Sequence, residues 1–362
     1  MALPVAPSAA SGRRRIGVIG LGMASAPHAQ SLIDLRDRVE VAGCFSPSAE
    51  RRAAFAARHG LPVVDRIEAL LEDPALSAVL LLTPPDSHAG LVARCAAAGK
   101  HVLLEKPLDA TPEGARAVVS AMEAAGLTLG VVLQHRFRES VERLAALMRD
   151  GTLGRPLSAA VSVRWWRDAA YYAQPGRGMK ARDGGGVLLT QAIHTLDVFV
   201  GLLGLPERVA AFAATSALRS PAAGMEPGMD TEDVVAAALR YGDGMLASID
   251  ATTAACPGYP ERIEIAGTGG SAVLSGDRLE VQLVGGERIL GGRDGATLGG
   301  GADPMAFSHQ HHRAVLADFL DALDQGRRPR VDGREALKVH RLIDAILDAA
   351  AAGGAAVEVE EP

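Results

Sequence analysis

What this chain has little of narrows what it can be. Cysteine occurs three times in 362 residues, at Cys44, Cys95 and Cys256, an odd number set far apart. That argues against a disulfide framework and for a reducing, cytoplasmic setting. Basic runs are scarce. Beyond Arg13–Arg15 there is no positive stripe, and a net charge of −6 argues against nucleic acid as a partner. No apolar run approaches the roughly 18 residues that cross a bilayer, so no membrane partner is expected. The opening MALPVAPSAASG lacks a basic start followed by a long apolar block, so it is not read as a signal peptide. Residues 1–14 are expected to form a disordered tail. Aromatic residues make up only 4 %, which gives weight to any place where they gather.

What is present suffices for two domains, with 48 % apolar and 22 % charged residues. From Arg15 onward, short apolar runs alternate with helical stretches. The runs are Ile16–Leu21, Val39–Phe45, Ala78–Thr83, His101–Glu105 and Leu127–Leu133. Continuous apolar strands separated by helices predict a doubly wound parallel sheet of Rossmann type over 15–135. After that the pattern changes. In Arg278–Val284, Leu279, Val281 and Leu283 share one face while Glu280 and Gln282 share the other. Residues 136–362 are therefore expected to form an α+β domain with a large, mostly antiparallel open sheet. One helix, Val187–Leu203, interrupts its strands. Two more, Ser308–Gln325 and Gly333–Ala350, close the chain.

The first strand runs into GLGMAS, Gly20–Ser25. Gly20 permits the tight turn, and Gly22 lets backbone N–H groups approach a pyrophosphate, with Met23 and Ala24 leading into the helix. Ser25 stands where the third glycine of G-x-G-x-x-G would be. The second strand ends in CFSPSAERR. Ser46 occupies the position of the acid that holds the ribose 2′-hydroxyl in NAD enzymes, and Arg51 and Arg52 follow. A hydroxyl and a guanidinium suit a 2′-phosphate, so NADP is preferred over NAD. The fifth strand ends in LLEKPLDAT, where Glu105 and Lys106 are fixed by Pro107. A charge pair at the carboxyl end of a parallel strand stands where such folds bind ligands, and an ammonium there can stabilise a developing alkoxide. In the second domain, GGGVLLTQAIHTLD puts Thr190, His194 and Asp197 at helical spacing on one face. A neutral imidazole there can take the proton of a substrate hydroxyl. Both tryptophans and two of the four tyrosines lie in VRWWRDAAYYAQPGRGMK, so Trp165 is a candidate pocket wall. Lys180 is a candidate contact for an anionic substrate group. His309, His311 and His312 lack the acid or cysteine spacing of a metal site, so no metal is expected.

Four stretches occur in order: GLG after strand one, LLLTPPDSHAGLV, GKHVLLEKPLDAT and GGGVLLTQAIHTLD. By these the chain resembles the glucose–fructose oxidoreductase/inositol dehydrogenase (Gfo/Idh/MocA) family over about Arg15–Ala350. The resemblance implies an NAD(P)-dependent oxidoreductase of sugars, cyclitols or related carbonyls. It implies that Lys106 bonds the reacting oxygen, that Glu105 contacts cofactor ribose, and that Thr83, Pro84 and His88 lie near the nicotinamide and ribose. Gln134, with His135 and Arg136, falls where the family contacts cofactor or substrate. The family's usual aspartate in D-x-G-x-H is Thr190 here, while His194 is kept. A homodimer or homotetramer through the C-terminal sheet is implied as well. Two alternatives within the fold stay open: an NAD-retaining glycoside hydrolase, and a cofactor-binding regulator without chemistry.

Overall fold

The computed structural model describes residues 12–220, 224, 228–292 and 308–362. Most of the expected tail lies outside these residues, and Arg14 already opens the first strand. The chain divides into two compact units. One takes the described residues up to Gln134 together with Ser308–Leu337; the other takes His135 onward together with Lys338–Pro362. This differs from a single cut near residue 135, because residues 308–337 return to the first unit.

In chain order the first unit runs β1 (Arg14–Ile19), α1 (Ser25–Asp34), β2 (Val39–Phe45), α2 (Ala49–His59), β3 (Val63–Val64), α3 (Glu68–Leu71), β4 (Ala78–Leu81), α4 (His88–Ala97), β5 (His101–Glu105), α5 (Pro112–Ala124) and β6 (Leu129–Val132). All six strands are parallel, in the order β3-β2-β1-β4-β5-β6. Every residue of β4 and β6 is buried, as strands covered on both faces must be. The order reverses beside β1, so the carboxyl ends of β1 and β4 form the crevice where doubly wound sheets take ligands.

The second unit contains α6 (Glu139–Arg149), β7 (Pro156–Arg164), the single turns α7 (Ala169–Tyr172) and α8 (Lys180–Asp183), and α9 (Ile193–Leu203). Strands β8 (Arg208–Ala214), β9 (Val234–Arg240), β10 (Leu246–Thr252), β11 (Arg262–Gly267), β12 (Gly270–Ser275), β13 (Arg278–Leu283), β14 (Arg288–Gly292) and β15 (Val357–Glu358) follow. α10 (Gln310–Gln325) belongs to the first unit, where it packs on α1. The division between units falls inside α11 (Gly333–Ala351). The nine strands order as β14-β13-β12-β11-β7-β10-β9-β8-β15, antiparallel except for β7 beside β10. Strict alternation of exposed and buried residues along β9 gives the sheet one covered face, which α6 and α9 pack against. On the other, Arg164 pairs with Asp250 and Arg288 with Glu280, while Phe212 is 68 % exposed.

The segment Lys180–Leu203 is long and apolar enough, by composition, to cross a membrane. That corrects the expectation that no run approaches this length. Yet 78 % of its apolar window is buried within the protein, and α9 packs on β7 and β11, which marks a core helix.

Candidate active site

In the first unit, backbone geometry accounts for the glycine turn. Gly20 has φ +104°, and a Cβ there would lie 2.6 Å from the Leu82 carbonyl carbon. Only glycine fits this left-handed, crowded position. The Gly20 N–H donates to the Phe45 carbonyl (2.9 Å) and the Leu82 N–H to the Ile19 carbonyl (2.7 Å), which draws the ends of β1, β2 and β4 together. Gly22 and Met23 are exposed, and a Cβ on Gly22 would meet nothing within 4 Å. Ala24 offers α1 no side-chain cap. An open turn ahead of an uncapped helix N-terminus fits a dinucleotide pyrophosphate.

At the end of β2, Ser46 is buried and Ser48 caps α2 by accepting the Arg51 N–H (3.2 Å). Arg51 itself is exposed. Arg52 donates from Nη1 to the Ser46 carbonyl (2.6 Å), so Arg52 rather than Arg51 is the guanidinium tied to this loop.

The loop after β4 holds Thr83, half-buried with its hydroxyl accepting from Ser87 (2.8 Å), and Pro84, which is exposed. His88 differs from expectation. It is fully buried, with Nε2 2.9 Å from the Thr83 carbonyl and Nδ1 3.0 Å from the Pro107 carbonyl. Both ring nitrogens are spent on main chain, so His88 braces the loops after β4 and β5 and is not open to a cofactor.

The Lys106–Pro107 peptide is cis, and the Lys106 side chain is half-buried. Glu105 is buried; Oε1 bonds His28 Nε2 on α1 (2.8 Å) and Oε2 accepts the Lys106 N–H (3.0 Å). Burial opposes ionisation of Glu105. The His28 hydrogen bond, helped by the nearby Lys106 charge, outweighs it and holds the carboxyl below its ordinary range. An ionised carboxylate only accepts, so His28 donates through Nε2. His312 on α10 packs edge-on against His28 with ring centroids 5.0 Å apart. Burial pushes its pKa down to about 3, so it is neutral at pH 7. One potential ligand atom from each of His28, Glu105 and His312 lies within 4.8 Å of the others. The His28–Glu105 hydrogen bond accounts for one of these approaches. Gln134, after β6, is buried with Oε1 lacking a hydrogen-bond partner, which leaves an acceptor at the sheet's carboxyl edge.

In the second unit, the triple glycine lets two chain segments touch: a Cβ on Gly186 would lie 1.7 Å from the Glu232 carbonyl oxygen. Glu232 accepts the N–H groups of Gly186 (3.0 Å) and Leu188 (3.2 Å), and burial raises its pKa. The expected single helix begins instead with a π turn, Leu188–Ala192, before α9. Thr190 lies within that turn. Its hydroxyl bonds the Gly186 carbonyl (2.6 Å) and Gln191 Oε1. Gln191 in turn donates to the Tyr171 hydroxyl (3.0 Å). His194 is 8 % exposed and lies against His135, centroids 4.8 Å apart. His135 Nε2 accepts from Arg138 (2.7 Å), which is held by Glu261 (2.5 Å).

Asp197 and Arg136 were both expected to contact substrate. Asp197 is fully buried and takes two parallel hydrogen bonds from Arg136, 2.8 and 2.7 Å. This pairing anchors α9. Trp165 is buried at 5 % exposure, and Lys180 is exposed, its N–H donating to Asp230 (2.7 Å). Sequence reasoning did not single out His28, Tyr171, Gln191 or Arg138. The double YY beside both tryptophans was the one local signal.

Strand order, glycine turn and crevice together define a dinucleotide-binding oxidoreductase architecture. Residues 14–133 match the NAD-binding Rossmann fold of the GFO/IDH/MocA oxidoreductase family, and residues 141–273 match that family's C-terminal domain, so the chain belongs to this family. It is 32 % identical over 332 residues to the 1,5-anhydro-D-fructose reductase of Ensifer adhaerens, covering 89 % of this chain and 91 % of that protein. It is 31 % identical over 257 residues to the myo-inositol 2-dehydrogenase of Thermotoga maritima, covering 71 % and 73 %. Among solved structures, the WlbA dehydrogenase of Bordetella pertussis in complex with NADH and UDP-GlcNAcA superposes with a TM-score of 0.79 at 26 % identity, over 96 % of this chain and 99 % of that one.

Proposed function

We propose that this enzyme moves a hydride between a nicotinamide cofactor and a secondary alcohol or ketone of a sugar, cyclitol or related polyol. The observation that carries this reading is the glycine cradle at Gly20 and Gly22 in a chain whose relatives are sugar and inositol dehydrogenases and reductases. The nicotinamide, when bound, supplies the hydride acceptor or donor. Lys106 polarises the reacting oxygen and holds the charge that develops on it. His194 takes the hydroxyl proton in oxidation and returns it in reduction. The Lys106 N–H bond to Glu105, itself held by His28, supports a fixed starting point for the lysine side chain. Gln134 offers an acceptor for a cofactor amide or ribose group.

For the cofactor, Arg52 at the Ser46 carbonyl supports a 2′-phosphate and hence NADP. The open face of the nine-stranded sheet supports a homodimer or homotetramer, and three free cysteines support a cytoplasmic setting. The test is a panel of polyols, aldoses and cyclitols with each cofactor, read as reduced-nicotinamide absorbance. Turnover of at least one, faster with NADP, is expected. Silence across the panel with both cofactors would overturn the reading.

A further inference from the structure

The stretch Arg164–Asp183 carries Arg164, Arg167, Arg177, Lys180 and Arg182 against only Asp168 and Asp183, five bases to two acids in a chain of net charge −6. Part of this charge is held on aromatic rings. Arg167 is 3 % exposed; its guanidinium lies 5.2 Å from the Trp165 ring centre and 5.5 Å from that of Tyr171. It hydrogen-bonds Tyr171 and donates to the Trp166 carbonyl (2.8 Å). Burial lowers its pKa, the mark of a cation kept at a desolvation cost. Arg177 lies 5.1 Å from the same Tyr171 ring. The Tyr171 oxygen accepts from Gln191, so its own proton remains available to donate.

Carboxylates in the neighbourhood turn to the main chain. Asp168 takes the Tyr171 N–H (2.9 Å), Asp230 the Lys180 N–H (2.7 Å), and Glu232 two N–H groups after Gly185. Asp233 is spent on Ser216 and Arg219. Asp183 takes the Gly178 N–H (2.8 Å) and reaches Arg177 only at 3.4 Å. What this wall offers a ligand is rich in donors and poor in acceptors. Tyr171 is rigidly set, being held by Gln191, the Asp168 cap, and edge-on contact with Tyr172 (5.0 Å).

We propose that Arg177 and the Tyr171 hydroxyl, with the buried Arg167 guanidinium behind the Tyr171 ring, form a subsite for an anionic group on the substrate, so that the polyol handled is a sugar acid or sugar phosphate in preference to a neutral sugar. This rests on the oxidoreductase reading above and names its substrate class. The anion takes no part in the redox step: the alcohol carbon loses hydride to the cofactor and the hydroxyl loses its proton to His194. Charge-assisted hydrogen bonds to a partly desolvated guanidinium, strengthened by the low local dielectric, supply the preference.

Trp165 and Trp166 are the only tryptophans in the chain, so intrinsic fluorescence reports on this wall directly. The full-length enzyme is titrated with D-glucuronate, D-glucose 6-phosphate and D-glucose. At least one charged probe is expected to saturate the emission change at a concentration about tenfold or more below that for glucose. Which of the two does so separates carboxylate from phosphate. Arg177→Gln should remove that advantage, and Arg164→Gln, on the exposed pair with Asp250, should keep it. If Arg177→Gln fails to fold, raising salt from about 0.05 to about 0.5 M should erode the advantage in the unaltered enzyme. Equal binding of all three probes, no emission change with any, or an advantage that survives both Arg177→Gln and salt would overturn the proposal. Rapid turnover of neutral polyols without gain from a charge sinks this subsite while leaving the oxidoreductase reading intact. Silence of the whole panel in the absorbance assay sinks that reading even if the fluorescence titration succeeds.

Discussion

The two units hold their candidate site residues by different means. In the first, the main chain does the holding. Gly20 is fixed by a steric approach to Leu82, His88 by backbone carbonyls on both nitrogens, and Lys106 by its own N–H on Glu105. In the second, side chains hold side chains: Arg136 clamps Asp197, Gln191 holds Tyr171, and Arg138 holds His135 against His194. Main-chain anchoring tolerates many substitutions around it, whereas a side-chain chain fails at any link.

The largest expected effect follows from that contrast. Asp197→Ala leaves the Arg136 guanidinium, 12 % exposed, without its carboxylate. We expect a loss of about 3–5 kcal/mol, read as a lower urea midpoint for the second unit. A change under about 1 kcal/mol would mean that the anchor is dispensable.

Acid should separate the units next. Burial depresses His101 to about 4 and His312 to about 3 in the first unit, and His340 to about 4 in the second. Each folded-state value lies below the unfolded one near 6.5, so the unfolded chain gains protons first as pH falls. Stability is complete above pH 6.5 and declines toward pH 4, by up to about 1.4 kcal/mol per pH unit for each histidine. With two such groups against one, the first unit should open at higher pH in hydrogen exchange. His312→Phe should flatten its decline; an unchanged slope would contradict the assignment.

A smaller effect concerns the cofactor. Arg52→Ala should weaken NADP about tenfold while leaving NAD within about twofold, read by cofactor titration. Equal losses for both would remove the 2′-phosphate role. The smallest effect belongs to the open sheet face, where Arg164→Ala should cost at most about 0.5 kcal/mol, since both partners in its pair are about half exposed.

What could be read in the sequence divides along the same line. The Rossmann strands, the glycine turn and the E-K-P corner were legible because they need particular residue types at adjacent positions. Strand β7 was not, because Gly154, Arg155 and Pro156 read as a turn although Ala159, Val161 and Val163 alternate inward. The His28–Glu105 bond spans 77 positions, and no local pattern announces it. Asp197 was placed beside the substrate by helical spacing, whereas its hydrogen bonds from Arg136 span 61 positions and no local pattern announces them. The π turn at Leu188–Ala192 was not legible either, because its residues read as the start of one continuous helix, Val187–Leu203.

The central claim is that Lys106 and His194 act on the same reacting oxygen and its proton, and single-turnover hydride transfer tests it most directly. With a turned-over substrate from the panel and cofactor in excess, Lys106→Met and His194→Ala should each slow reduced-nicotinamide formation by about 100-fold or more, with the cofactor Kd unchanged. Near-normal hydride transfer in either variant would contradict the account.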